Sequence, residues 1–574
     1  MKFNILSFFK KDKPLLDILL TVNESFKFKK NCFMRILILG VFTLFCFSCK
    51  DAATNKKEVT QPEKKPNIVL IMADDMGFSD LGNYGSEINT PSLDRLANEG
   101  TRLSRFYTNT ICAPSRTSLL TGQYPHKAGM GFFNEDFGVK GYEGYINKES
   151  LTLGEVFKEG GYSTYMAGKW HVGNERPHWP LQRGFDNFFG FLDGGASYFD
   201  TKPLLKGPPS TAFLYEGNDV YNIEKEDFYL TDELTTRAID FVKNNPEEKP
   251  FLLYMAYNSP HWPLHAKPED IAKYKGKYDA GWDELRKLRF ENIKKLGLAD
   301  EDWNLFKDKL LPAWDSLTAE EKSEWTLKME VYAAMVDNLD QNIGKLLNYL
   351  GTTGQLDNTV VIFLSDNGAE NMDVGKMPFT VKRNEGPVGT AGSMESYSKK
   401  WAQVSNSPLR SYKSSPYEGG VATPFIIRYP NQKEAGKVMK GGSHVVDIMP
   451  TLLDIAGIEY PESYNGVTPN PLVGESFLPL LQGEDWNREQ PICFEWFGDR
   501  AVWLGDLKGV HQYNKEWELY DLFTDRTESN DIAASQPETI AKMDAIYNEW
   551  AKNNGVIAWS EEMGKKTQFR KSPH

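Results

Sequence analysis

From residue 67 onward the chain is punctuated by short, continuous apolar runs that stop abruptly at acids or turn formers. The first is Asn67-Ile-Val-Leu-Ile-Met-Ala-Asp-Asp75, and the same form recurs at 250–258 (PFLLYMAYN), 359–366 (TVVIFLSD) and 424–430 (PFIIRYP). A strand that is apolar on both faces must be covered on both faces, as the central strands of a parallel sheet are. Helical spacing separates these runs at 91–99, 151–159, 231–244 and about 325–350, where Val331, Met335, Leu339 and Ile343 share one face. Strands alternating with helices predict an open α/β sheet sandwiched by helices. Ligands in such sheets collect beyond the carboxyl ends of the strands, where Asp74, Asp75, Asp366 and Asn367 fall.

Two segments interrupt the rhythm. Residues 263–324 are charged and contain Trp, and residues 370–412 form a Gly/Ser/Asn-rich stretch longer than ordinary connections. Both are expected at the rim of a cleft. After about 485 the pattern changes to short strand-like pieces (ICFEWF, AVWLG, GVHQY, WELYDL) and a final helix near 537–552. These predict a small antiparallel C-terminal subdomain over 485–574 beside a catalytic domain over 67–484.

The N-terminus reads as an address. Residues 34–48 (MRILILGVFTLFCFS) are a short apolar run after Lys29, Lys30 and Arg35, the pattern of a secretory signal. It ends in Phe-Ser-Cys at 47–49, similar to a bacterial lipobox. Cys49 is therefore expected to carry a lipid anchor, with residues 1–49 as export segment and 50–66 as a polar tether. A plain secretory signal cleaved nearby is the alternative, and the start codon is Met1 or Met34. The expected location is the periplasm or cell surface of a Gram-negative bacterium.

A length of 574 residues leaves room for a large core, and 40% hydrophobic with 25% charged residues is ordinary for a globular chain. Aromatics at 13% can fill cores or line a carbohydrate cleft. The net charge of -13 argues against a nucleic-acid partner, because phosphate backbones demand clustered Lys and Arg. An anionic substrate would need a site that is locally basic. Of five cysteines, three lie in the export segment, so a disulfide framework is not expected and Cys112 needs its own explanation.

Cys112-Ala-Pro-Ser-Arg116, continuing Thr-Ser-Leu-Leu-Thr-Gly122, supplies one. This stretch resembles the signature of the formylglycine-dependent (type I) sulfatases, and the likeness extends from 67 to about 550. It is most similar to bacterial arylsulfatases through the segment from His261-Trp-Pro-Leu-His265 to Tyr278-Asp-Ala-Gly281. The resemblance implies an alkaline-phosphatase-like fold, with a large mixed, mostly parallel sheet. It also implies that a formylglycine-generating enzyme oxidises Cys112 to an aldehyde. One hydroxyl of the hydrated aldehyde attacks sulfur, and the other then expels sulfate.

Three carboxylates and an amide oxygen (Asp74, Asp75, Asp366, Asn367) make a hard, all-oxygen donor set suited to calcium or magnesium. By resemblance they and the residue made from Cys112 hold one divalent cation, expected to be calcium. The likeness further assigns Arg116 to the aldehyde hydrate, Lys169 to a sulfate oxygen and His171 to the formylglycine side chain, the last two through Gly168-Lys-Trp-His171. His261, in Asn258-Ser-Pro-His261, becomes the proton donor to the leaving oxygen, and Lys413, five residues before Glu418-Gly-Gly420, a second sulfate ligand. Ser-Ser-Pro after Lys413 departs from the more frequent Gly-Thr-Thr. These basic groups would make the site locally positive in an acidic protein. His126 is expected to brace the signature helix, and His178 and His265 are secondary candidates for substrate contact.

The expected substrate is a sulfated carbohydrate, inferred from an exported, aromatic-rich chain. Two alternatives stand beside it. One is a phosphomonoester or phosphonate hydrolase of the same superfamily, although the second zinc set typical of its phosphatases is not visible. The other is a surface lipoprotein that binds sulfated glycans without turning them over.

Overall fold

The computed structural model describes residues 64–560 except 207–212, 309–310, 379, 382–385 and 431. The export segment with Cys49 and nearly all of the tether lie outside the described residues. Fourteen strands follow in chain order: β1 (Asn67–Ala73), β2 (Thr101–Tyr107), β3 (Ser163–Lys169), β4 (Asn187–Phe191), β5 (Leu214–Glu216), β6 (Asp219–Tyr221), β7 (Phe251–Ala256), β8 (Thr359–Ser365), β9 (Phe425–Arg428), β10 (Lys437–His444), β11 (Ile492–Trp496), β12 (Asp499–Leu504), β13 (Leu507–His511) and β14 (Trp517–Asp521).

The first ten form one sheet in the order β10-β2-β9-β8-β1-β7-β3-β4-β5-β6. Its centre, β8-β1-β7-β3-β4, is parallel throughout. Every residue of β1, β7 and β8 is buried, as their unbroken apolar sequences predict. The pleat divides them between two cores. Val69, Ile71, Val361 and Phe363 face one side with Val331, Met335, Leu339 and Ile343 of the long helix Ala319–Thr352. Ile68, Leu70, Ile362 and Leu364 face the other with Leu119 and Leu120 of the helix Cys112–Thr121.

Three features differ from the sequence reading. The run at 424–430 becomes β9, which is antiparallel to both neighbours, β2 and β8, because a buried apolar run does not encode strand direction. Strands β2, β3, β4 and β10 carry polar residues and escape the pattern. The 263–324 segment contributes core as well as rim: Trp282 is fully buried and packs edge-on against Trp314, Trp325 and Trp401, while Phe306 and Asp308 line a surface cleft. The expected antiparallel C-terminal sheet is present as β11-β12-β13-β14, with the helix Pro537–Asn554 packed on it. No helix of the described residues is long and apolar enough to cross a membrane.

Candidate active site

Four parallel strands deliver the chemistry at their carboxyl ends. Asp74 and Asp75 follow β1, Asp366 and Asn367 follow β8, Lys169 closes β3, and His261 comes shortly after β7. Close backbone packing holds these ends in register. A Cβ on Gly168 (φ +123) would lie 1.8 Å from the carbonyl oxygen of Ala256, and one on Gly368 would lie 1.8 Å from that of Gly419. Glycine is the residue that fits both places. Asp75 (φ 65) and His171 (φ 59) adopt left-handed backbone that non-glycine residues visit at a cost of about 1–3 kcal/mol.

The carboxylates and cations interlock. Arg116, fully buried, donates to Asp366 Oδ2 at 2.7 Å and lies 3.5 Å from Asp74 Oδ1. Lys169 Nζ donates to Asp74 Oδ2 at 2.7 Å. Lys413 Nζ reaches both oxygens of Asp75, at 2.7 and 2.8 Å, and Glu370 Oε2 at 3.2 Å. Asn367 Nδ2 donates to Asp75 Oδ1 at 2.8 Å, and the Asp75 amide donates to Asp366 Oδ1 at 3.2 Å. The His261 Nδ1–H donates to the Trp262 carbonyl at 2.7 Å, leaving Nε2 facing Asp75 Oδ2 at 3.6 Å.

Burial sets the protonation states. Burial pushes Asp75 up, but Lys413, His261 and Lys169 together hold its carboxyl well below the usual range. Asp366 is raised to about 6 by burial and by the neighbouring Asp74. His261 is lowered to about 3, chiefly by burial with Lys169 and Lys413 adding to it, and His171 is depressed for the same reasons. Both imidazoles are therefore neutral at pH 7, so the positive charge comes from Arg116, Lys169 and Lys413. Burial also raises the Cys112 thiol, so the unmodified side chain is not a thiolate nucleophile.

Whether a cation fits can be judged from the donors. Three cations face four carboxylates (Asp74, Asp75, Asp366, Glu370), a surplus of negative charge. Asp74 Oδ1 and Asn367 Oδ1 are buried without a hydrogen-bond partner, a costly condition for oxygens unless an ion takes them. Asp74, Asp75 and His261 each present one donor atom within 4.8 Å of the others. The residues fit a divalent ion, with the His261 ring closer to the donor group than its assignment as proton donor alone anticipates.

Cys112 opens the helix Cys112–Thr121 and sits on the wall of a cavity of about 450 Å³. His171, His261 and Lys413 line the same cavity, while Arg116 and Lys169 lie behind it against the carboxylates. His126 Nε2 lies 3.0 Å from Glu495 Oε2 of β11, a contact between the segment after the signature helix and the C-terminal sheet. His178 stacks on Tyr145 and His265 bonds to the Ser393 carbonyl; neither lines the cavity. Glu370, bonded to Lys413 and to Trp262 Nε1, is a cavity residue that the sequence reading missed. Its position three residues past Asn367 was the one available signal.

Residues 66–458 match the family model described as sulfatase, about two thirds of the chain. The chain belongs to the sulfatase family. Residues 412–552 of this sulfatase also match the model of the N-sulphoglucosamine sulphohydrolase C-terminal region. It is 36% identical over 534 residues to an uncharacterised sulfatase of Schizosaccharomyces pombe, covering 86% of this chain and 95% of the other. It is 37% identical over 430 residues to an arylsulfatase of Klebsiella aerogenes, covering 73% and 92%. Among solved structures, Ps i-CgsB in complex with k-i-k-neocarrahexaose superposes with a TM-score of 0.65 at 27% identity, covering 87% of this chain and 96% of that one. The sulfatase is thus a sulfuric ester hydrolase.

Proposed function

We propose that this sulfatase removes sulfate from a sulfated carbohydrate, using a formylglycine made from Cys112 and one bound calcium ion. The observation that carries the reading is the position of Cys112, on the cavity wall at the head of a helix beside Asp74, Asp75, Asp366 and Asn367. The carbohydrate part draws support from the aromatic cavity wall and from the hexaose bound by a structural relative.

The ion and the formyl group, when present, supply charge neutralisation at the sulfate and an oxygen nucleophile in place of sulfur. Asp74, Asp75, Asp366 and Asn367 would hold the ion, with the Asp74 Oδ1 and Asn367 Oδ1 atoms already oriented and unspent. Arg116 keeps Asp366 in place and shields its charge from that of Asp74. Lys413 and Lys169 exchange part of their carboxylate pairing for sulfate oxygens. His171 lines the same cavity as Cys112 and has a buried Nδ1 without a hydrogen-bond partner among the described residues, free for the residue made from Cys112. His261, whose Nδ1–H is held by the Trp262 carbonyl, can take up a second proton only at Nε2, and the negative charge of an arriving sulfate favours that protonation. The proton then passes from Nε2 to the departing oxygen. Maturation by a formylglycine-generating enzyme, export and a lipid anchor on Cys49 complete the proposal.

The test has two parts. Mass spectrometry of the Cys112 peptide, after co-expression with a maturation enzyme, is expected to show the aldehyde. Turnover of 4-nitrophenyl sulfate is expected to exceed that of 4-nitrophenyl phosphate; the reverse order would favour the phosphatase reading, and an unmodified thiol in fully active protein would overturn the nucleophile.

A further inference from the structure

The cavity beside Cys112 has a catalytic floor and an outer wall of different character. The wall is aromatic: Phe133, Trp262, Trp496 and Phe497 line it, and edge-to-face contacts of Trp496 with Phe133 (5.2 Å) and Phe497 (4.6 Å) hold the rings in place. Its charged members are mostly acidic. Glu135, Asp193 and Glu370 line the cavity, and among the described lining residues Lys413 is the one Lys or Arg, already engaged with Asp75 and Glu370.

Unspent polar atoms point the same way. Glu135 is half-buried, has no hydrogen bond or ion pair to a described residue, and is raised by burial alone, with no cation beside it. Asn134 gives its amide nitrogen to Asn174 and leaves Oδ1 buried without a partner. Both are acceptors, and acceptors in a cavity are satisfied by donors such as sugar hydroxyls, not by another anion. Aromatic faces meanwhile suit the C–H face of a sugar ring.

We propose that this wall selects the leaving group by charge: it accepts an uncharged, hydroxylated sugar unit whose only anion is the scissile sulfate, and rejects a unit bearing a second sulfate or a carboxylate. The inference rests on the sulfatase reading and narrows its substrate class. A second anion about 5 Å from one of these carboxylates would lose affinity by a factor on the order of a hundred at the effective dielectric of a protein surface. The exclusion applies to the unit inside the cavity. Lys399, Lys400, Arg410 and Lys515 outnumber Asp308 and Asp373 in a separate cleft of about 410 Å³ that shares Asn371 and Met372 with it, so an anion farther along a chain meets a net positive lining.

The test compares matched pairs by titration calorimetry on the full-length, calcium-loaded Cys112→Ala variant, which binds without turnover. The pairs are galactose 6-sulfate against galactose 2,6-disulfate, and N-acetylglucosamine 6-sulfate against glucosamine 2-N,6-O-disulfate. Within each pair the disulfate is expected to bind at least about tenfold more weakly. Adding Glu135→Lys is expected to shrink that gap severalfold, and Glu135→Gln to shrink it less. Equal or tighter binding of the disulfate, no binding of either monosulfate, or a gap indifferent to Glu135→Lys in a variant that melts like its parent would each overturn the proposal. If the gap holds while the unmutated, matured protein leaves 4-nitrophenyl sulfate intact, the charge selection stands and the catalytic reading falls.

Discussion

Asp74 Oδ1 and Asn367 Oδ1 are buried at adjoining strand ends, and neither has a hydrogen-bond partner among the described residues, a condition that costs free energy. An ion that takes both removes the cost. Asp74→Ala and Asn367→Ala are each expected to weaken calcium binding at least about tenfold by calorimetry; undiminished binding would remove either residue from the donor set. A second prediction concerns His444, away from the site. Burial and Arg488 lower its pKa from 6.5 to about 3, and its ring Nδ1 accepts from the Val446 amide, which requires the neutral form. A depressed histidine pKa means that the unfolded chain binds the proton more readily, so stability is full above pH 6.5 and is lost as pH falls toward 3. The contribution lost between pH 7 and pH 4 is about 3 kcal/mol. Urea unfolding of His444→Asn is expected to show a correspondingly smaller loss over that interval, and an unchanged pH slope would refute the assignment.

At the scale of the element, the Gly-Lys-Trp-His run shows how one small residue places a cation. Gly168 lets β3 approach β7 so closely that Lys169, the next residue, emerges against Asp74. Gly168→Ala adds a Cβ where a carbonyl oxygen stands, at a positive φ, and is expected to cost about 3 kcal/mol or more in chemical denaturation. Retention of wild-type stability would mean that the strands yield more than their packing implies. The long helix Ala319–Thr352 begins with a capping box, in which the Thr318 hydroxyl accepts from the Glu321 amide and Glu321 accepts from the Thr318 amide. Thr318→Ala should therefore cost about 1 kcal/mol in the same assay.

Over the whole molecule, a buried charge network ties the C-terminal sheet to the catalytic sheet. Glu418, at the end of the loop that carries Lys413, meets Lys508 of β13 at 3.1 Å and Arg526 at 3.0 Å, all essentially without exposure. Arg526→Met leaves a buried carboxylate short of one partner and is expected to cost about 3–5 kcal/mol in denaturant unfolding. Combining it with Glu418→Gln should recover part of that loss, and strict additivity would show that the two are not coupled. The same C-terminal sheet sends Trp496 and Phe497 into the cavity wall, so it takes part in shaping the site.

The central strands, the long helix and the strand-end acids were legible in the sequence because burial on both faces writes an unbroken apolar run, and because the chain turns polar where a strand leaves the core. Cys112, Arg116, Lys169 and Lys413 were legible through resemblance of local motifs, each set by its own few neighbours. Three things needed the tertiary structure. The direction of β9 depends on its partners, and the buried Trp282 cluster on packing between distant segments. The neutrality of His171 and His261 depends on desolvation and on lysines far away in the chain. The cavity wall, finally, joins Glu135, Glu370 and Trp496 across 361 positions of sequence, and no local pattern records which side chains long-range folding will make neighbours.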